Sequence, residues 1–412
     1  MQKKLSEYAA LLVRTGANIQ KGQTLVIRCP VDGAAFGRLL AEEAYASGAR
    51  EVVMYWTDDR LERMKYLKAD NGIFDEFSAW IKTFHYEYAE KKAALIAIAA
   101  NDPEYLKGVD PERLKRNAIV RGRELKGYQD MQMRNDFPWC IASIPSPAWA
   151  LKVFPGVSEE EAVAKLWDAI FDAVRVKGDG GAVKRWEEHT VNMGKRTKIL
   201  NEYNFAKLIY KNKLGTDLSV ELPEKHMWLC CGEKARTGVP FIANMPTEEI
   251  FTLPKKAGMN GVICSSMPLS LDGNIIKDIR LTVKDGRITE AAASEGSATL
   301  NKKLEVDEGA RYFGEVALVP HKSPISEKGI LFYNTLYDEN ASCHFAFGKA
   351  YPLFTDAMTV SEDELKKRGM NDSVTHVDFM VGTPDLSITG IKHDGREIPV
   401  FVNGNFAGEF AS

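Results

Sequence analysis

Four segments in the C-terminal half place carboxylates and histidines inside apolar, strand-like sequence. They are Pro246-Thr247-Glu248-Glu249, Gly314-Glu315-Val316-Ala317-Leu318-Val319, Tyr337-Asp338-Glu339-Asn340-Ala341-Ser342-Cys343-His344 and Thr375-His376-Val377-Asp378. An ionised carboxylate among buried Val, Leu and Ala is costly unless it is paired or binds a cation. Four such places in one half of a chain point to convergence on metal ions. Residues two apart on a strand face the same side, so His376 and Asp378 form a compact two-ligand unit while Val377, Phe379 and Val381 face the core. Taken singly, each candidate has a plainer reading. His376 and Asp378 make a hydrogen bond at a sheet surface, and Glu315 a buried salt bridge to Arg311 or a distant Lys. Glu248-Glu249 suits an acidic helix start after Thr247. Glu339 is then a loop carboxylate, and His344 a core histidine donating to a carbonyl. Together these readings are harder to sustain, because the chain has only seven histidines and two fall in these segments.

The elements that must position these residues come from a chain of 412 residues, long for one core and suited to two domains. Hydrophobic content of 45% and charged content of 27% are ordinary for a globular protein. A net charge of -3 offers no basic field for nucleic acid. The strongly apolar run Ala93 to Ala100 is too short to cross a bilayer, and no hydrophobic signal core follows the basic Met1-Gln2-Lys3-Lys4. Cys29, Cys140, Cys230, Cys231, Cys264 and Cys343 show neither metal-site spacing nor a disulfide framework, which favours a reducing cytoplasm.

The N-terminal half alternates strands and helices. A β-branched strand over Gln23 to Cys29 runs into the turn Pro30-Val31-Asp32-Gly33. Phe36, Leu39, Leu40 and Ala44 then recur at helical spacing, and Glu51 to Trp56 is the next strand, parallel to the first. Ala93 to Ala100 and Trp139 to Ile144 read as further buried strands. Asp110 before Pro111 starts a helix, and Ser158 with Glu161 makes a capping box. This predicts an α/β domain over 1–194, an open parallel-type sheet with helices on both faces. No GxGxxG or GxxxxGK[ST] supports a nucleotide, and Lys177-Gly178-Asp179-Gly180-Gly181 reads as a turn near the domain boundary. The domain is therefore assigned a structural role, with cavity closure as its possible contribution to the site.

Over 195–412 the period changes. Leu218, Val220 and Leu222 alternate, as do Ile279, Leu281 and Val283. Asp285-Gly286, Asp394-Gly395 and Asn403-Gly404 read as two-residue hairpin turns. A mostly antiparallel α+β domain is expected, and every candidate ligand lies in it.

The segment Asn244 to Thr252, Gly314 to Val319, Glu339 through His344, and His376-Val377-Asp378 together resemble the aminopeptidase T/aminopeptidase S/aminopeptidase II family of dinuclear metallo-aminopeptidases. The resemblance covers the whole chain. It implies that Glu249, Glu315, Glu339, His344, His376 and Asp378 coordinate two divalent ions, with cobalt, zinc, manganese and magnesium all compatible with such donors. Four carboxylates balance two dications, and Glu315, in the most apolar setting, is the expected bridge. Glu248 beside ligand Glu249 is the expected general base, and Tyr351 a hydrogen-bond donor to the oxyanion or a ligand. The implied substrate is a peptide with a free N-terminus, and the implied assembly a homodimer. The competing readings are another dinuclear metallohydrolase, an amidase or phosphoesterase, and a non-catalytic small-molecule-binding α/β protein.

Overall fold

The computed structural model describes residues 1–411 apart from 101, 272, 273 and 358, in two units. The first comprises Met1–Glu188 with Gly232–Pro246, the second His189–Cys231 with Thr247–Ser412.

The first unit is built on a parallel sheet in the order Glu51–Thr57, Thr24–Pro30, Ala94–Ala99, Trp139–Ser143. Side chains alternate across it. Leu25, Ile27 and Cys29 are fully buried on one face, where Gly37 of helix Ala34–Ala46 brings its backbone up to Cys29 and Met54. Arg28 and its register partner Tyr55 point to the other face, where Phe84 of helix Ala79–Glu90 stands 5.2 Å from the Tyr55 ring. Helices thus cover both faces, as the alternation predicts. The starts of two of them are set locally. Asp110 accepts from the Glu112 amide ahead of Pro111, and Ser158 from the Glu161 amide. No single boundary at 195 contains the Gly232–Pro246 return, and backbone pairing explains it. The Ile141 amide donates to the Ala243 carbonyl at 2.7 Å, the Met245 amide to Ile141, and the Ile242 amide to Gly16.

The second unit has two main antiparallel sheets. The larger has eight strands, with Lys207–Lys211, Asp217–Glu221 and Met259–Cys264 near its centre. The smaller runs His376–Met380, His344–Gly348, Phe313–Leu318, Ile250–Thr252. Leu208, Tyr210, Val220 and Ile263 of the first share one core with Val316, Phe345, Phe347 and Phe379 of the second, and the Tyr210 and Phe345 rings meet at 5.1 Å. Burying such side chains fully stabilises by about 1.5–3 kcal/mol each before entropy is counted.

The hairpin readings hold at two of three places. Asp285-Gly286 and Asn403-Gly404 both take positive φ between paired strands, as a two-residue turn requires. At Asp394-Gly395 only the glycine does, and the Lys392 amide pairs with the Arg396 carbonyl, so three residues close that turn. Among the described residues no helix is long and apolar enough to cross a membrane.

Candidate metal centre

The smaller sheet gathers the site because one of its faces is not apolar. Register places Ala346 opposite both Glu315 and Asp378, and His344 opposite Ala317. Val316, Phe345, Val377 and Phe379 occupy the core face. Glu315, His344, His376 and Asp378 are therefore on the other, as the His376/Asp378 spacing predicts. Phe251 pairs with Ala317, and Glu249, two residues before it, enters from the same side. Small residues at 317 and 346 leave room above the sheet.

Ligand atoms of Glu249, Glu315 and His344 lie within 4.8 Å of one another, as do those of Glu315, His376 and Asp378. Glu315 belongs to both groups. His344 Nε2 is 3.1 Å from Glu249 Oε2 and 3.5 Å from Glu315 Oε1. His376 Nε2 is 3.6 Å from Glu315 Oε2 and 3.3 Å from Asp378 Oδ1. The alternative partner for Glu315 fails, since Arg311 pairs with Glu305. Glu248-Glu249 starts no helix and leads instead into the Ile250–Thr252 strand.

The histidines are oriented from behind. His344 Nδ1 donates to the Ser342 carbonyl at 3.0 Å and His376 Nδ1 to the Lys349 carbonyl at 2.7 Å. Each ring in its neutral form thus carries its proton on Nδ1 and aims the Nε2 lone pair at the carboxylates, the arrangement of a metal-ligating imidazole. Among the described residues, the buried Asp378 Oδ1 has only His376 Nε2 near it and no other donor. These donors fit a divalent cation. The electrostatics agree. Burial alone would depress His344, but Glu249 and Glu315 outweigh it and hold its pKa well above the usual range. His376, likewise opposed by burial, is raised to about 10 by Asp378 and Glu315. Burial raises Glu315, with Asp378 and Glu249 adding to the shift against His344.

Glu339 belongs to neither three-residue group. It sits in the turn Glu339–Ala341, where burial and the charges of Asp378 and Glu249 push its pKa well up. Tyr351 stands at the margin, its ring 5.7 Å from that of His376. Glu248 is buried, with Oε2 3.8 Å from His189 Nε2. Two residues that the sequence reading did not single out bear on it. His189, on helix Ala182–Tyr203, approaches the Thr247 carbonyl through Nε2 at 2.9 Å. Asn340 takes the Glu248 amide proton on Oδ1 at 2.6 Å. Asn340 lies next to Glu339 in the Tyr337–His344 segment, a position the sequence does signal. His189 sits in a run of charged helical residues and gave no signal.

The chain matches the family described as "Thermophilic metalloprotease (M29)" over residues 1–406. It belongs to that family. Among relatives, it is 44% identical to aminopeptidase AmpS of Bacillus subtilis (strain 168), with 98% of each chain covered. It is 41% identical to aminopeptidase 2 of Geobacillus stearothermophilus, covering 100% of this chain and 99% of that one. The structure of wild-type AmpT from Thermus thermophilus superposes with a TM-score of 0.93 at 35% identity, covering 99% of this chain and all of that one. As an M29 member the chain is a metallopeptidase, a hydrolase that uses divalent metal, and its α/β-plus-antiparallel fold is that of the AmpT structure.

Proposed function

We propose that this chain removes the N-terminal residue from peptides, and that Glu249, Glu315, Glu339, His344, His376 and Asp378 hold two divalent ions, with cobalt, zinc, manganese and magnesium as candidates. One observation carries the reading: both imidazoles are held through Nδ1 while their Nε2 atoms meet a shared carboxylate, Glu315. Glu315, common to both groups, would be the carboxylate available to either ion. Ions held there would supply Lewis-acid polarisation of the scissile carbonyl and a lowered pKa for water.

The side chains supply the rest. The Glu248 carboxylate takes the proton of the attacking water and returns it to the departing amine as the carbon–nitrogen bond breaks. The Asn340 contact to the Glu248 amide fixes that backbone, and His189 stands beside the Glu248 carboxylate. Tyr351 donates its hydroxyl to the oxyanion as negative charge develops. Cluster carboxylates accept hydrogen bonds from the free α-amino group, which selects substrates with an unblocked terminus. The catalytic part is the second unit, which holds most of the region expected at 195–412, and the α/β unit, which holds most of 1–194, is structural. The protein works in the cytoplasm as a homodimer.

The test uses Leu-p-nitroanilide and its N-acetylated form. The chelated protein should be inactive, recover with one or more of the four metals, and turn over only the free amine. Equal turnover of the acetylated compound would assign the site to a broader amidase. Light scattering tests the dimer.

A further inference from the structure

A second polar site lies wholly within the first unit. On the sheet face that carries Arg28 and Tyr55, a cavity of about 160 Å³ opens between the strands and the helices Ala79–Glu90, Pro111–Glu124 and Lys126–Met133. Small residues make the space, with Ala97 in register beside Arg28. Two guanidinium groups line it, Arg28 half-buried and Arg121 exposed. Among the described residues neither forms an ion pair or a hydrogen bond. Glu62, whose titration feels Arg121, is engaged instead by the Tyr105 hydroxyl at 3.5 Å. Burial and then the Arg121 charge depress Arg28, and burial, with both arginine charges, depresses His85.

A guanidinium drawn into a protein without an anion is unfavourable, and a second one nearby makes it more so. The remaining walls are aromatic. Tyr55 lies 5.2 Å from Phe84, and His85 meets Tyr55 edge-on at 5.7 Å and Tyr128 at 4.9 Å. Charge and walls together specify the missing partner: a planar anion that takes paired N–H donors, on a flat apolar body. We propose that this cavity binds an organic carboxylate with an aromatic body, the carboxylate held by Arg28 and Arg121 and the ring packed among Tyr55, Phe84 and Tyr128. The site is separate from the metal centre and does not depend on the proposed peptidase chemistry.

Calorimetric titration of the full-length, metal-loaded protein with benzoate, and with neutral benzamide as its isostere, tests the assignment. Benzoate should bind saturably and benzamide about tenfold or more weakly, the loss expected when charge-assisted hydrogen bonds go. Arg28→Gln and Arg121→Gln should each weaken benzoate by a similar factor. Arg121 is exposed, so its variant should fold and hydrolyse Leu-p-nitroanilide at the parent rate. Three results would overturn the proposal: no saturable benzoate binding, benzamide binding as tightly, or full affinity in Arg121→Gln, which would place the carboxylate elsewhere, the metal centre included.

Discussion

Glu248 and Glu249 are neighbours in the chain with different surroundings. Glu249 meets His344, whereas Glu248 stands beside His189. On the proposed assignment, chain adjacency separates a ligand from a base without using a second element. Glu248→Gln should lower kcat by about 10²- to 10⁴-fold, the usual contribution of a general base, while metal content stays at the parent value. Parent kcat in that variant would remove Glu248 from the chemistry. Asn340 carries a different kind of prediction, because it is fully buried and receives the Glu248 amide. Asn340→Ala leaves that donor unsatisfied and should destabilise by about 1–3 kcal/mol, read as a lower denaturation midpoint. An unchanged midpoint would mean that water replaces the amide without cost. At this scale the sequence was legible where a carboxylate or imidazole broke an apolar run, as at Glu315 and His376. Arg28 in Thr24-Leu25-Val26-Ile27-Arg28-Cys29 had the same signature with opposite charge.

The element that gathers the candidate ligands is the four-stranded sheet, whose alternation is regular along His344–Gly348 and His376–Met380 and is shifted once, between Phe313 and Glu315. Every second residue from Phe345 and Val377 is core, and the intervening ones face the cluster. Ala346 is the register partner of both Glu315 and Asp378, so its methyl group defines the free volume between them. Ala346→Leu should expel metal while costing about 1–3 kcal/mol of stability through overpacking. Elemental analysis beside far-UV circular dichroism checks this, and a folded variant with full metal content would refute the sheet-face arrangement. Alternation and hairpin signals made single strands readable. The order in which Ile250–Thr252, Phe313–Leu318, His344–Gly348 and His376–Met380 lie side by side was not, because it depends on contacts between residues far apart in the chain. His189 was hidden for the same reason: fifty-eight positions separate it from Thr247, which it touches.

Two stability predictions concern the molecule as a whole. The first follows from ion binding to the native cluster alone. Removing metal should lower the unfolding temperature, and restoring it at one hundred times Kd should return about 2.7 kcal/mol. Calorimetry that shows no difference between chelated and reloaded protein would count against ion binding at the cluster. The second concerns acid. His226 is buried, its Nδ1 engaged by the Pro223 carbonyl, and burial lowers its pKa to about 4. In the unfolded chain it titrates near 6.5. The unfolded state therefore binds more protons between those values, and stability falls as pH drops from 6.5 towards 4, by about 3 kcal/mol in all. His226→Asn should flatten that limb in denaturant titrations at a series of pH values. An unchanged slope would assign the acid sensitivity to other groups. At this scale the sequence announced two parts through its change of period near residue 195, but the homeward strand-like pairing of Gly232–Pro246 was invisible, since Ala243 and Ile141 carry no side-chain sign of their backbone bond.

That pairing has a bearing on how the protein can be taken apart. The polypeptide passes from one unit to the other three times, after Glu188, Cys231 and Pro246. No single cut releases an intact half, and a fragment starting at 189 would carry fifteen residues whose native partners had been deleted. An isolated catalytic half would need that excursion excised and its ends rejoined by a short linker. Gene fusion or domain shuffling that treats either half as a cassette should therefore yield insoluble product.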